Sequence, residues 1–261
     1  MTDFFANMDS DYARKHFPNG VFESAMKTIR RRSVVFMFFM GLFFAGSLYG
    51  LFWSIGRTME LSAEGRDDMM GVCMVICGFF GVAALVTGLL LVILLRSTRK
   101  KRGDYIAAAA KNSRLPESEI EAFEQQAVAP DCYILRLTAG LDRLLSSGTN
   151  KDGLLTKDYI YLADASQIVM RVDQLKACCF YEYSYYVNTG KTSKKILCLA
   201  ILLVASNGVS VFSDTTEQAG KALMALLKER NSGIDLNGGK VVPEGALEAY
   251  KKRVLETLIS H

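Results

Sequence analysis

Histidine is almost absent from this chain, which has only His16 and His261 among its 261 residues. Neither histidine has the spacing to cysteines that a zinc site needs, and neither has a serine or cysteine nucleophile and an acid as neighbours. The GxGxxG and GxxxxGK[ST] loops that bind nucleotide phosphates and the zinc motif HExxH are also missing. These absences favour a protein that is not an enzyme and that uses no metal and no cofactor.

Charged residues are missing from two long apolar runs, 33–55 and 71–95. Each run exceeds the roughly 20 residues needed to cross a bilayer core, where a backbone must satisfy its own hydrogen bonds. We therefore expect a transmembrane helical hairpin at 33–95, with an outer loop at 56–70. Without ionisable side chains in the runs, this chain alone is not expected to form a proton relay, voltage sensor or ion-coupled transporter.

Basic residues flank the hairpin on the sides away from the loop. They precede the first run at Lys27, Arg30, Arg31 and Arg32 and follow the second at Arg96, Arg99, Lys100, Lys101 and Arg102. By the positive-inside rule, we expect a multi-pass protein of the cell membrane with both termini in the cytoplasm. The two basic clusters are also candidates for contact with anionic lipid or with a partner.

Small residues recur at intervals of four in both runs. They are Gly46, Gly50 and Ser54 in the first run and Cys73, Cys77, Gly81, Ala84 and Gly88 in the second. Small side chains on one helix face let two backbones approach closely. The pattern favours packing of the two helices within one chain, and the alternative is homodimerisation through Gly46 and Gly50.

Three segments flank the hairpin and the domain that follows it. Residues 1–32 form an N-terminal segment in which apolar residues recur at helical spacing from Val21 onward. This part is either an amphipathic lead-in helix at the membrane interface or a simple extension of the first span. Residues 96–130 form a basic collar with connecting helices, and 235–261 a flexible linker followed by an amphipathic helix.

Between 131 and 234 the sequence consists of short apolar segments separated by turn residues, which is typical of strands. The predicted strands are 132–137, 154–156, 159–162, 168–172, 175–187, 194–205 and 209–212, with a helical turn at 141–145 and a helix at 215–230. Together they predict an antiparallel α+β domain. Lys191, Lys194 and Lys195 cluster at the turn of the longest predicted hairpin, where they either contact anionic headgroups or lie in a solvated turn.

Several features between 153 and 234 resemble bacterial two-span membrane proteins with a cytoplasmic pleckstrin-homology-like domain. They are the opening Leu154-Leu155-Thr156 with Tyr159, the step Asp173–Leu175 and the helix end Leu226–Asn231. The resemblance covers about a third of the chain and is a pattern of strands and turns, without the basic phosphoinositide-binding signature of eukaryotic domains. It implies an antiparallel split barrel capped by one C-terminal helix, in a family whose members serve mainly as binding or assembly modules.

We therefore expect a membrane-anchored, non-enzymatic interaction or scaffold protein. Its cytoplasmic domain would bind protein partners, further copies of itself or anionic lipid headgroups. The alternative is an accessory subunit of a membrane transport complex or another membrane complex, and a membrane enzyme is the third class. The net charge of +4 gives no indication of a nucleic-acid partner, so the expected partners are the bilayer and either a homo-oligomer or another membrane protein.

Overall fold

The computed structural model describes residues 4–65, 67–98, 101–137, 152–163, 166–188 and 192–256. The chain forms two compact units, a globular unit of residues 1–25 and 102–261 and a hairpin unit of residues 26–101. The globular unit thus includes stretches that the sequence analysis assigned to the N-terminal segment and to the collar. Arg99, Lys100, Lys191 and the helical turn predicted at 141–145 lie outside the described residues.

The helices of the described chain are α1 (Ser10–His16), α2 (Val21–Ala63), α3 (Asp67–Thr98), α4 (Arg102–Ser113), α5 (Glu117–Ala127), α6 (Glu217–Arg230) and α7 (Leu247–Glu256). Of these, α2 and α3 are long and apolar enough to cross a membrane, over Val34–Ala63 and Gly71–Arg96. The prediction of two such helices is confirmed. At 1.5 Å per residue, the 43 residues of α2 give roughly 65 Å, about twice the thickness of a bilayer core.

Small residues form the contact between α2 and α3 in the hairpin unit. A Cβ atom added to Gly50 would lie 2.7 Å from the Phe80 ring, and one added to Gly88 would lie 3.0 Å from the Phe44 ring. The buried hydroxyl of Ser54 donates a hydrogen bond to the carbonyl of Leu51 at 2.9 Å. The helices therefore approach through glycines that make room for phenylalanine rings, and the polar side chain between them is satisfied by its own helix.

The remaining faces of the hairpin unit are exposed and apolar. They carry large side chains that include Phe43, Tyr49, Phe52, Val75, Phe79 and Leu85. A contiguous apolar surface of this kind is stable only against lipid or another protein.

The first sheet of the globular unit has the order β1-β2-β3-β4-β5, with every neighbouring pair antiparallel. Its strands are β1 (Phe5–Asn7), β2 (Tyr133–Leu135), β3 (Gly153–Leu155), β4 (Tyr159–Tyr161) and β5 (Val169–Arg171). The N-terminal strand β1 forms one edge of this sheet. It pairs with β2, with Phe5 opposite Leu135.

The second sheet has the order β8-β7-β6-β9. Its strands are β6 (Leu175–Asn188), β7 (Ser193–Ala205), β8 (Ser210–Asp214) and β9 (Val242–Pro243). β9 runs parallel to β6, and the backbone N–H of Asp235 donates to the carbonyl of Lys176 at 2.8 Å. The segment predicted to be a flexible linker is therefore bound along β6.

The main core lies between the two sheets and α6. It includes Leu135, Leu155 and Ile160 from the first sheet, Phe180, Ile201 and Leu203 from the second, and Ala219, Leu223 and Leu227 from α6. Thr216 begins α6 by accepting a hydrogen bond from the N–H of Ala219 at 3.2 Å, as an N-cap does. On the other face of the second sheet, Tyr250 and Val254 of α7 pack on Cys179 and Leu202.

The described strands form two sheets and no closed barrel. The prediction of a helix-and-sheet domain after the apolar helices is confirmed in this coarse form. The finer prediction of a pleckstrin-homology-like split barrel is not confirmed by this topology and stays a prediction.

Candidate interaction surface

Strands β6 and β7 form a hairpin that extends beyond the rest of their sheet. They pair along their length, as far as the pair Asn188 and Ser193. The neighbouring strands are much shorter, because β8 pairs with β7 only from Ala200 to Val204 and β9 pairs with β6 only at Tyr181 and Glu182. Residues 183–188 and 193–199 therefore project as a two-stranded ribbon, which we call the distal ribbon. At about 3.4 Å per residue it extends for roughly 20 Å.

Large apolar side chains are exposed on both faces of the distal ribbon. Tyr186 is 67% exposed and Leu197 is 62% exposed on one face, and Tyr185 is 47% exposed on the other. Opposed residues of an antiparallel pair share a face, so Ile196, which lies opposite Tyr185, adds to the second face. The sequence produces this arrangement because tyrosines and aliphatic residues alternate between the faces with the two-residue period of a strand.

An aromatic cluster fixes the base of the ribbon. The Phe212 ring lies 5.2 Å from that of Tyr181 and 5.5 Å from that of Tyr183. The Tyr183 hydroxyl donates a hydrogen bond to Oδ1 of Asp214 at 2.5 Å. Burial and this hydrogen bond raise the pKa of Tyr183, so the phenol stays protonated and continues to donate.

Basic residues lie at the distal end of the ribbon. Lys194 and Lys195 are exposed, opposite Val187 and Tyr186 respectively. Their contact with an anionic group stays a prediction, as does the alternative of a solvated turn, and Lys191 lies outside the described residues. Of the other predicted basic contacts, Arg30, Arg31 and Arg32 belong to α2, but their side chains are outside the described part of the structure.

A second arrangement joins the segments that lead into and out of the hairpin unit. Arg102, predicted as a lipid or partner contact, donates from Nη2 to Oε2 of Glu124 at 2.7 Å and from Nε at 3.1 Å. The Glu124 side chain is only 3% exposed, and its Oε1 accepts from the backbone N–H of Phe22 at 3.4 Å. This N–H is one of the donors that the first turn of a helix leaves unpaired. Glu124 therefore connects the start of α2 to the start of α4 within the globular unit.

Close packing supports the Glu124 contact. Gly20 has φ +100°, and a Cβ atom there would lie 2.5 Å from Oε1 of Glu124. The Phe22 ring packs 5.8 Å from the Phe123 ring and 5.9 Å from the Tyr161 ring. Phe22, whose position in the sequence suggested an interfacial helix, is therefore buried inside the globular unit.

The small residues predicted for helix packing differ in their surroundings. Gly50, Ser54 and Ala84 are buried, Cys77, Gly81 and Gly88 are half-buried, and Gly46 is exposed. A Cβ atom on Gly46 would meet no described atom within 4 Å, whereas one on Gly50 would collide with Phe80 of the same chain. The structure thus separates two glycines that the spacing placed in one stripe.

Cys132, Cys178 and Cys179 of the globular unit are fully buried packing residues. Burial raises the pKa of Cys179 to about 11 and that of Cys132 to about 12, and it also raises the pKa of Cys178. A thiol reacts as its thiolate, so these three are expected to be inert at neutral pH.

We expect iodoacetamide at pH 8.5 to alkylate Cys179 about 100-fold more slowly in the folded protein than after unfolding, because its thiolate fraction is that much smaller. The pKa is raised by folding, so the free energy of unfolding falls as the pH rises above the ordinary value of 9.0 toward 11. Mass spectrometry of the alkylated peptides measures the rate, with the half-buried Cys198 as the internal comparison. Equal rates before and after unfolding would contradict the buried position.

His16 is the histidine that lies within the described residues, and its neighbours are an aromatic ring and an acidic side chain. His16 stacks on Tyr12 with centroids 4.2 Å apart, and the Tyr12 hydroxyl donates to Asp152 at 2.6 Å. Burial, and after it the charge of Lys15, lower the pKa of His16, which favours the neutral imidazole. Among the residues that the structure describes, no group of three or more histidine, cysteine or acidic side chains is arranged to hold a metal ion.

Sequence reasoning missed β1, α1 and Glu124. Phe5–Asn7 is too short to show strand periodicity, and Glu124 looks like any other acid of an amphipathic helix. Of these three features, only α1 has a signal in the local sequence. Asp9 is a favourable N-cap residue, and it accepts a hydrogen bond from the N–H of Tyr12 at 2.6 Å.

No protein-family model, no curated protein and no solved structure matches this chain. The interpretation of the surface therefore rests on its own geometry.

Proposed function

We propose that this chain is a membrane-anchored, non-enzymatic interaction protein that uses the distal ribbon as its contact surface. The single observation that carries the proposal is the exposure of Tyr185, Tyr186 and Leu197 on a two-stranded projection. Soluble domains rarely leave a long, apolar edge of this kind uncovered, because it is a template for pairing and aggregation. A partner that covers the ribbon removes this liability.

The membrane anchor in this proposal is the hairpin unit, and the globular unit lies in the cytoplasm. The basic residues on both flanks of the hairpin support this orientation through the positive-inside rule. The globular unit takes residues from both sides of the hairpin unit, which supports a topology with both ends of the hairpin on one side of the membrane.

A pleckstrin-homology-like relationship is part of the same proposal. Its support is the succession of an antiparallel sheet, a second sheet that is antiparallel except for the short β9, and the helix α6 that packs on their common core. In such domains the sheets serve as a scaffold, and the function depends on the loops and edges that they present. The distal ribbon is the edge that this chain presents.

We expect the wild-type protein, solubilised from membranes in a mild detergent, to migrate on native electrophoresis as a complex larger than one chain. The double variant Tyr186→Ser/Leu197→Ser is expected to migrate as a single chain, because it removes the two most exposed apolar side chains of the ribbon. Val128→Ser is the matched control, since Val128 is also exposed, at 42%, but lies after α5.

Two results would overturn the proposed function. One is a wild-type protein that migrates as a single chain, and the other is a complex that survives the double ribbon variant unchanged. Mass spectrometry of the complex then identifies its composition, which separates self-association from an accessory subunit of a larger membrane complex.

A further inference from the structure

The open edge of β7 has features that select one kind of partner. The carbonyl of Leu199 accepts a hydrogen bond from the N–H of Thr215, directly after β8 ends. Backbone groups alternate in direction along a strand, so those of Leu197 and Lys195 point to the same edge. No described strand pairs with β7 there, and the open segment runs from Ser193 to Cys198.

The other edge of the ribbon is less accessible. On β6, the Ser184 hydroxyl donates a hydrogen bond to Glu244 at 2.9 Å, and β9 pairs at Glu182. The chain segment 242–246 therefore flanks the β6 edge where it leaves the body of the sheet. Among the described residues, none pairs with the β7 edge between Ser193 and Cys198, so an added strand can reach that edge.

We propose that two copies of this chain associate by antiparallel pairing of their β7 edges, with Ile196 of one copy opposite Ile196 of the other. The proposal rests on the proposed function and names its partner as a second copy. In this register Lys195 of each copy faces Leu197 of the other, and each such pair exchanges two N–H···O bonds because both residues point outward. The two four-stranded sheets would then form one continuous sheet.

The lysines and Thr215 disfavour the neighbouring registers. Shifting the pairing toward the hairpin turn places Lys195 of one copy opposite Lys195 of the other. Directly opposed like charges destabilise a strand pair. In the proposed register the shared segment runs from Lys194 to Cys198. Shifting the pairing the other way shortens this segment, because Lys195 of the incoming strand would then lie beside Leu199, whose carbonyl already accepts from Thr215. In the proposed register Lys195 faces Leu197 and Lys194 faces Cys198. The aliphatic parts of the lysine side chains then pack against these residues.

Charge and exposure also fit a second copy. Lys194 lies on the same face of the sheet as Asp214, since both follow the alternation through Ala200. The pairing brings Lys194 of one copy toward Asp214 of the other at the end of the shared edge. Strand addition extends both faces of the sheet, which accounts for apolar exposure on both sides of the ribbon. Anchoring by identical hairpins in one membrane raises the local concentration of the partner edge.

The test is a disulfide across the twofold axis in membranes that contain the full-length protein. Ile196→Cys is introduced into a chain carrying Cys73→Ser, Cys77→Ser and Cys198→Ser, while the fully buried Cys132, Cys178 and Cys179 remain. Non-hydrogen-bonded antiparallel pairs have Cα atoms about 4.5 Å apart, within the range that a disulfide requires. Oxidation with copper phenanthroline is expected to yield a covalent dimer.

Tyr185→Cys in the same background is the matched control. Tyr185 lies directly opposite Ile196 on the same face, but in the proposed dimer the two copies of Tyr185 are three strand spacings apart, roughly 14 Å. We expect a dimer yield at least tenfold lower at position 185 than at position 196. Equal yields at both positions, or no dimer at position 196, would overturn the pairing.

A proline at the open edge tests whether the backbone mediates the contact. Leu197→Pro removes an N–H that points away from β6, and edge strands tolerate proline at such positions. Added to the Ile196→Cys chain, it is expected to reduce the dimer yield at least tenfold, and an unchanged yield would overturn backbone pairing. If the native complex depends on Tyr186 and Leu197 while Ile196→Cys yields no dimer, this inference fails and the proposed function stands. That outcome would indicate a different protein or lipid as the occupant.

Discussion

Replacing Arg102 with methionine is expected to lower the free energy of unfolding of the globular unit by about 3–5 kcal/mol. The Glu124 carboxylate is 3% exposed, so without Arg102 it stays buried with the Phe22 N–H as its remaining partner among the described residues. Removing the charge of Glu124 instead is expected to lower the free energy of unfolding by less. In Glu124→Gln the guanidinium that is left behind is 56% exposed and is solvated by water, and the amide oxygen can still accept from Phe22.

Thermal unfolding in detergent, followed by circular dichroism, measures this difference. For a domain of this size the expected loss lowers the melting temperature by roughly 6–20 °C. Lys111→Met is the matched control, because Lys111 is an exposed basic residue on the same helix. An Arg102→Met protein as stable as the Lys111→Met protein would show that Glu124 does not depend on its ion pair.

Gly50→Leu is expected to separate α2 from α3 and to destabilise the hairpin unit by about 1–3 kcal/mol or more. Even a Cβ atom at Gly50 would lie 2.7 Å from the Phe80 ring, so a leucine forces the ring and the opposing helix to move. The midpoint temperature of thermal denaturation of the solubilised protein measures the effect. It is followed by loss of the native-electrophoresis band after heating.

Gly46→Leu is the control in the same helix, since a Cβ atom at Gly46 would meet no described atom within 4 Å. We expect its stability to be within about 0.5 kcal/mol of wild type, and its native complex to be unchanged. Loss of the complex in Gly46→Leu alone would instead favour homodimerisation through this face of α2. Equal destabilisation by both variants would contradict the described packing.

Much of the fold could be predicted from local patterns because those patterns act over short distances. The two apolar helices follow from hydropathy. The hairpin from Leu175 to Ala205 follows from the alternating tyrosines of its first strand, the polar turn, and the short apolar run of its second strand. Helix α6 follows from the spacing of Leu223 and Leu227, although it begins at Glu217, after the Thr216 cap, and not at Thr215 as predicted. Each of these signals lies within one element or between neighbouring elements.

The composition of the globular unit could not be predicted in the same way. The pairing of Phe5 with Leu135 and the contact of Glu124 with Phe22 join residues more than 100 positions apart. Nothing in a three-residue strand or in a single glutamate indicates such a partner. These contacts depend on the three-dimensional path of the chain.

The candidate surface was predicted only in part. The sequence indicates Lys194 and Lys195 at a turn and tyrosines on one strand face. It does not indicate that β8 ends at Asp214 and that β9 covers only two residues of β6, and these lengths are what leave the ribbon exposed. The exposure of the ribbon depends on the difference in length between β6 and β7 and their neighbours. That difference is known only once the pairing register of the strands is known.

The position of β1 has a consequence for how the protein is made. During synthesis the first 25 residues emerge long before β2, and at typical translation rates about ten seconds separate Phe5 from Leu135. Through that interval β1 lacks its partner strand β2, while the apolar helices α2 and α3 are already synthesised. Completion of the globular unit is therefore a late event that joins residues from both sides of the hairpin unit. A fragment that begins near residue 131 would lack β1, α4 and α5, and the first 25 residues belong in any soluble version of this unit.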